Sequence, residues 1–348
     1  MPGFHVPLEI ANEIILHILD APPTLREGTA ENPKPDWKLI EAFTLTCWGY
    51  RLRALELWFR SLYLQSADDL HAIPNIFPTL KGSWTRHLHC VQYNVGKAAD
   101  LIWDLAGFSS LTSIRIDWLH ENTPEEKLSK IYPHEGAPCF INVQSPIKEL
   151  DIRGLRYPTP MAIQSLTTSF RHIATLKIES LRSWCGLCNT CALIRFPGST
   201  PKDQLYEGGL GLSIHYARIL FSFQHLEEVI ITLPDLGSGL PSPGFPIDSG
   251  DNLWTGECDR CMDQVYHVAG FKQQWMSRKR GIGTENDKYK RSVYTRPPSL
   301  KRVLWKFWLY EHKPGYTPRT YTQDEITFDD AWIGEHEDSD SFDSDTQN

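Results

Sequence analysis

The sequence predicts an α/β chain, with a three-helix bundle at the N-terminus and then a domain of parallel strands and helices. Three observations carry that expectation. Apolar residues recur at helical spacing in three stretches between Val6 and Leu64. One strand-like pattern then returns five times along the chain. Helix-like stretches precede several of its copies, as expected where parallel strands are joined by crossovers.

The first stretch is VPLEIANEIILHIL, Val6 to Leu19. Ile10, Ile14, Ile15, Ile18 and Leu19 fall on one helical stripe. Pro7 suits a helix start, where its missing N–H costs nothing, and Glu9 suits the positive end of the helix dipole. About three turns of helix cannot stand alone, so the stripe needs a cover. The second stretch is WKLIEAFTLTC, Trp37 to Cys47, with Asp36 placed to cap it and Pro35 marking the break. The third, YRLRALELWFRSLYL, is expected to be helical from Tyr50 to Leu64.

Together these stretches resemble an F-box, closest to the fungal kind. The resemblance rests on Pro7, Leu8, Glu9, Ile10, Ile14, Ile15 and Leu19, on Leu45, Cys47 and Trp48, and on Leu57 and Trp58. One departure is the long Pro- and Gly-containing segment between Leu19 and Trp37. An exposed loop of that composition lengthens at small entropic cost, so the bundle survives it.

Beyond the bundle, LHAIPNIFPTL reads as a helix or an irregular link, HLHCVQYNV as a strand and Ala98 to Ala106 as a short helix. The recurring pattern is L-x-x-L/V/I-x-I/L-x-x-L. It occupies residues 111–119, 147–155, 173–181, 226–234 and 300–308. A helix followed by a short strand with Leu or Ile at fixed offsets resembles an irregular leucine-rich repeat. The resemblance implies strands paired in parallel and buried on both sides, with helices outside. The expected division is a helical unit at 1–66 with a loop at 20–36, a repeat-like unit at 67–319 with insertions at 182–211 and 235–297, and an acidic disordered tail at 320–348.

Composition narrows the function. With 41% hydrophobic and 22% charged residues in 348, the chain has enough apolar material for a large core. No apolar run reaches the roughly 18 residues of a membrane span, and Glu9 and Glu13 interrupt the N-terminal apolar stretch, unlike a signal peptide. An intracellular location, cytoplasm or nucleus, is expected. The net charge of −8 comes from residues 320–348, which hold ten Asp or Glu and no Lys or Arg. The remaining body has 35 basic and 33 acidic residues and gives no electrostatic case for nucleic acid. The basic run from Arg278 to Arg291 is interrupted by Glu285 and Asp287 and reads as a solvated loop. Ser339, Ser341 and Ser344 lie among acids in the tail. Phosphate-loop, zincin, nucleophile-elbow and dinucleotide-binding motifs are all missing, so catalysis has no support. Gly208, Gly209 and Gly211 read as a turn opening a helix.

Two clusters of cysteines stand out. Cys185, Cys188 and Cys191 lie in the first insertion, and Cys258 and Cys261 in the second. A C-x-x-C places two thiolates on one tight turn, and a structural zinc site needs four ligands in a tetrahedron. Neither cluster is complete alone. If each insertion follows one of two neighbouring strands, the loops start side by side, about 5 Å apart. The expectation is a structural zinc ion on Cys185, Cys188, Cys258 and Cys261, with Cys191 as the substitute for Cys185. Cys47, Cys90 and Cys139 are expected to take no part.

What the F-box resemblance implies is a non-catalytic adaptor of an SCF-type ubiquitin ligase. The bundle would dock on the Skp-type adaptor through Pro7, Leu8, Ile10, Ile14, Ile15, Leu19, Leu45, Trp48, Leu57 and Trp58. The repeat-like unit would hold a protein substrate that the sequence does not name. The alternative is a stand-alone protein-binding scaffold without ligase contact.

Overall fold

The computed structural model describes residues 6–20, 34–77, 80, 82–93, 102–119, 139–155, 157–180, 182–192, 203–208, 211–235, 254–273 and 296–309. Most of the 20–36 loop, the Gly/Pro/Ser stretch of the second insertion, the basic run and the tail at 320–348 lie outside the described residues.

Three helices come first: α1 (Leu8–Asp20), α2 (Lys38–Thr46) and α3 (Trp48–Trp58). The Pro7 carbonyl accepts the Ala11 N–H at 3.1 Å, starting α1 where the proline predicts. The Asp36 carboxylate accepts the Lys38 N–H at 3.0 Å, which supports the start of α2. Ile15, Ile40, Ala54 and Leu57 form a small core of their own, with Leu16, Ile18, Leu19, Trp37, Phe43 and Trp58 packed around it. The α1 stripe therefore splits: Ile15 is covered, while Ile10 and Ile14 stay exposed.

The third helix ends at Trp58 and does not reach Leu64. Ser61–Leu64 is instead a strand, β1, with Leu62 and Leu64 buried between outward Ser61 and partly exposed Tyr63. Four alternating residues are too few to outweigh the helical spacing of the residues before them. The expected boundary at residue 66 thus leaves one strand of the sheet on the helical side. Trp58 packs against both the bundle core and the main core. Lys34 lies 4.6 Å over its ring and donates to the Trp58 carbonyl at 2.7 Å, reinforcing that joint.

Among the described residues the sheet has eight strands. After β1 come β2 (His87–Tyr93), β4 (Ser113–Leu119), β6 (Glu149–Leu155), β7 (Thr175–Ser180), β11 (Glu228–Asp235) and β12 (Arg302–Leu309). These seven lie side by side in chain order and pair in parallel. β10 (Gln204–Glu207) closes the far edge antiparallel to β12. The five recurring segments of the sequence are β4, β6, β7, β11 and β12.

Register aligns the apolar positions into rows. One row runs Leu62, Leu88, Ile114, Leu150, Leu176, Val229 and Val303, and the next runs Leu64, Cys90, Ile116, Ile152, Ile178, Ile231 and Trp305. Both rows are buried. Opposite them lies one cover layer. It contains α4 (Ala67–Ile76), β3 (Ile102–Asp104), β5 (Cys139–Ile141), α5 (Pro160–Thr167) and α6 (Ile214–Leu220), each touching the next in line. Strands in chain order joined by crossovers of one hand put every crossover on one face. The expectation of strands buried on both sides is therefore corrected: β7 alternates, with Leu176, Ile178 and Ser180 buried but Thr175, Lys177 and Glu179 partly exposed. The short helix expected over Ala98 to Ala106 is corrected too. Residues 102–104 of it form β3, parallel to β5, with Trp103 buried.

A repeated hydrogen-bond step sets the spacing. The Arg60 carbonyl accepts the N–H groups of both Arg86 and His87, Arg86 those of Thr112 and Ser113, and Thr112 those of Lys148 and Glu149. The same step continues from Lys148 to Ala174, Glu227 and Lys301. The steps from Arg60 to Arg86, Arg86 to Thr112 and Lys148 to Ala174 are equal in length, so the longer ones carry insertions in a regular frame.

Candidate metal centre

Two insertions bring the clustered cysteines together. The first leaves after β7 and opens with a hairpin, β8 (Ser183–Trp184) against β9 (Cys191–Ala192). The turn between them is tight: the Cys185 N–H donates to the Thr190 carbonyl at 2.8 Å and the Asn189 N–H to the Cys185 carbonyl at 3.1 Å. Asn189 takes a left-handed φ of 56°, which asparagine tolerates, and its side chain accepts the Trp184 indole N–H at 2.9 Å. The second insertion, after β11, carries α7 (Asp259–His267). Cys258 is the residue before its first turn and Cys261 lies one turn on.

The ligand atoms of Cys185, Cys188, Cys258 and Cys261 all lie within 4.8 Å of one another. Cys188 Sγ and Cys258 Sγ are 3.9 Å apart. Tetrahedral zinc with Zn–S bonds of about 2.3 Å requires sulfur atoms about 3.8 Å apart, so this spacing fits. The donor set also fits, since four thiolates suit a soft or borderline cation. Cys185, Cys258 and Cys261 are buried, and Cys188 is partly exposed. Backbone N–H groups of Leu187 and Cys258 each donate to Cys185 Sγ at 3.4 Å, orienting that sulfur as outer partners orient metal ligands. Hydrogen bonds from Cys185, Cys258 and Cys261 hold the Cys188 thiol well below its ordinary range. Contact with Cys185 and Cys188 pushes Cys258 and Cys261 up. A bound cation would take all four sulfurs as thiolates.

Cys191, the expected substitute, stays outside this group, because it pairs with Trp184 in the hairpin. Cys47, Cys90 and Cys139 also lie outside it among the described residues.

The residues just before Cys258 were not singled out by sequence. Trp254, Thr255, Gly256 and Glu257 are buried. The Glu257 carboxylate accepts the Thr255 N–H at 2.6 Å and its hydroxyl at 2.7 Å, and the Trp254 indole donates to the Glu257 carbonyl at 2.9 Å. Gly256 has φ +91°, and a Cβ there would meet Ser183 Oγ and the Trp305 ring at 2.6 Å. Only glycine fits this turn. The available signal was W-T-G-E directly before the second C-x-x-C.

The positions expected to touch an adaptor divide by burial. Leu8 (43%), Ile10 (52%), Ile14 (43%), Leu45 (78%) and Trp48 (74%) are exposed, as is Pro7. Ile15 and Leu57, the latter only 6% exposed, are core residues of the bundle and offer no docking surface. Leu19 and Trp58 are half-buried and pack against the same core.

Among the described residues no helix or further strand lies over the other face of the sheet, and this uncovered face carries paired charges. Asp117 accepts from Arg115 at 2.7 Å and from the ring of His89 at 2.7 Å. Asp151 pairs with Arg153, and Glu149 with Lys177.

The sequence matches no protein-family model and no curated protein, and the fold matches no solved structure. Among the described residues, no helix is long and apolar enough to cross a membrane.

Proposed function

We propose that this chain is a non-catalytic substrate receptor of an SCF-type ubiquitin ligase. The N-terminal bundle docks on the Skp-type adaptor and the strand array, an irregular leucine-rich-repeat-like unit, holds a protein substrate. One observation carries the reading. The bundle satisfies its own core with Ile15, Ile40, Ala54 and Leu57, yet leaves Leu8, Ile10, Ile14, Leu45 and Trp48 in solvent. Exposed apolar residues in surplus of a core's needs mark a contact surface. The metal in this reading is zinc, held by Cys185, Cys188, Cys258 and Cys261 in a structural role, with no open position for a substrate.

Co-expression with an Skp-type adaptor tests the docking. The chain should co-purify with it, and Ile14→Asp should abolish that while the unfolding of the array stays as it was. A wild-type chain that never binds the adaptor sinks the ligase reading. Elemental analysis should find one zinc per chain, and Cys191→Ser should not change that content.

A further inference from the structure

We propose that the metal centre is a latch on the C-terminal end of the sheet. With the four cysteines joined, β12 is held in a slot between β11 and β10, and without that joint the slot opens. The inference rests on the zinc reading above and extends it from holding an ion to controlling a surface.

The topology calls for a latch. β10 precedes β11 in the chain, yet β12 lies between them. The outer wall of the slot is therefore an arm of the first insertion, reaching across from β7. That wall is only four residues long and, among the described residues, pairs with β12 alone. A strand this short at a sheet edge is weakly held by its own hydrogen bonds.

Its support comes from the other insertion. The Tyr206 hydroxyl on β10 donates to the Trp254 carbonyl at 2.5 Å. The Trp254 ring packs 4.8 Å from that of Trp305 on β12, and Gly256 lies against the same Trp305 ring. The Trp305 indole donates to the Gly211 carbonyl, just beyond β10, at 2.9 Å. Trp254 to Glu257 is thus a strip wedged against the β10 wall and against β12 inside the slot. The strip runs straight into Cys258. Cys258 and Cys261 meet Cys185 and Cys188 at the root of the first insertion. The metal would close this circuit: strip to sulfurs, sulfurs to the β10 arm, and the arm back to the strip through Tyr206.

The surface at stake is the uncovered face. In one register row, Ile230, Leu304 and Leu205 lie side by side on β11, β12 and β10. The same row on β4, β6 and β7 carries Arg115, Asp151 and Lys177. The apolar part of the uncovered face is complete only while β10 is latched.

Hydrogen exchange on the full wild-type chain, with zinc measured first, tests this. Chelation should speed exchange at 204–207 and 302–309 roughly tenfold or more and leave 87–93 and 113–119 within about twofold. Adding zinc back should restore the protection. Stoichiometric zinc whose removal leaves 204–207 and 302–309 protected, or loosens β2 and β4 equally, overturns the latch and leaves the zinc reading standing. A chain without zinc overturns the zinc reading, and the latch with it. Tyr206→Phe provides a second arm with every cysteine intact. It should keep its zinc yet exchange faster at 204–207, and unchanged exchange there counts against the latch.

Discussion

The two ends of the sheet are held by different means. From β1 to β4 the frame advances in short, equal steps, Arg60 to Arg86 to Thr112, and α4 packs on β1 and continues into the cover through β3 and β5. From β7 to β12 the steps lengthen, Ala174 to Glu227 and then Glu227 to Lys301, and β10 of the first insertion returns to pair with β12 at the sheet's edge. The N-terminal end is stabilised by contacts between successive turns of the chain. The C-terminal end depends on contacts between segments far apart in sequence, such as Cys188 and Cys258. Closing loops that long carries an entropy cost that apolar packing must offset, and a metal cross-link reduces it.

The two most buried tryptophans probe this contrast with the largest expected effect. Trp305 and Trp103 are each fully buried and each donates an indole hydrogen bond, to Gly211 and to Gln92. Replacing either by Ala should cost about 3–5 kcal/mol in denaturant unfolding. Trp305→Ala should sit at the upper end and weaken zinc retention, whereas Trp103→Ala should leave retention alone. The reverse pattern would break the comparison.

Removing the metal comes next. Releasing a loop of about 70 residues should cost about 4 kcal/mol by chain entropy. Calorimetry should show an early transition separating from the main one, rather than a uniform shift.

Acid should act on the other end. Burial raises the Asp117 pKa, but hydrogen bonds from His89 and Arg115 outweigh it and hold the carboxyl down at about 2. Its folded pKa lies below the unfolded value, so the stabilisation is full above roughly pH 4 and disappears as pH falls through about 2. The span corresponds to about 2 kcal/mol. Asp117→Asn should lose about that much at pH 7 and flatten the acid limb of the stability curve. An unchanged acid limb would show that Asp117 is not the group responsible.

The smallest stability effect belongs to the bundle. Ile14→Asp changes an exposed position and should alter unfolding by no more than about 0.5 kcal/mol. A larger loss would mean that Ile14 is covered, and the docking reading would lose its main support.

Much of the array was legible because its signal is local. Alternating residues such as Leu176 and Ile178, or Val229 and Ile231, mark a strand within a few positions, although both of its sides were expected to be buried and only one is. The C-x-x-C pairs are equally local, and the four cysteines ranked first are those whose sulfurs meet. The same locality explains the misreadings. Ser61–Leu64 and residues 102–104 are too short for period 2 to stand out from period 3.6, and their neighbours favoured helix.

By itself, the sequence determined where the five recurring strands lie and which cysteines come in C-x-x-C pairs on tight turns. Backbone geometry fixes both within one or two turns of chain. Only the tertiary structure decided that the cover lies on one face, that Ile15 and Leu57 are core, that Cys191 is left out, and that β10 returns to flank β12. Those outcomes depend on which distant segment reaches an apolar surface first and fits it. Local periodicity shows that a surface needs a cover without specifying the segment that supplies it.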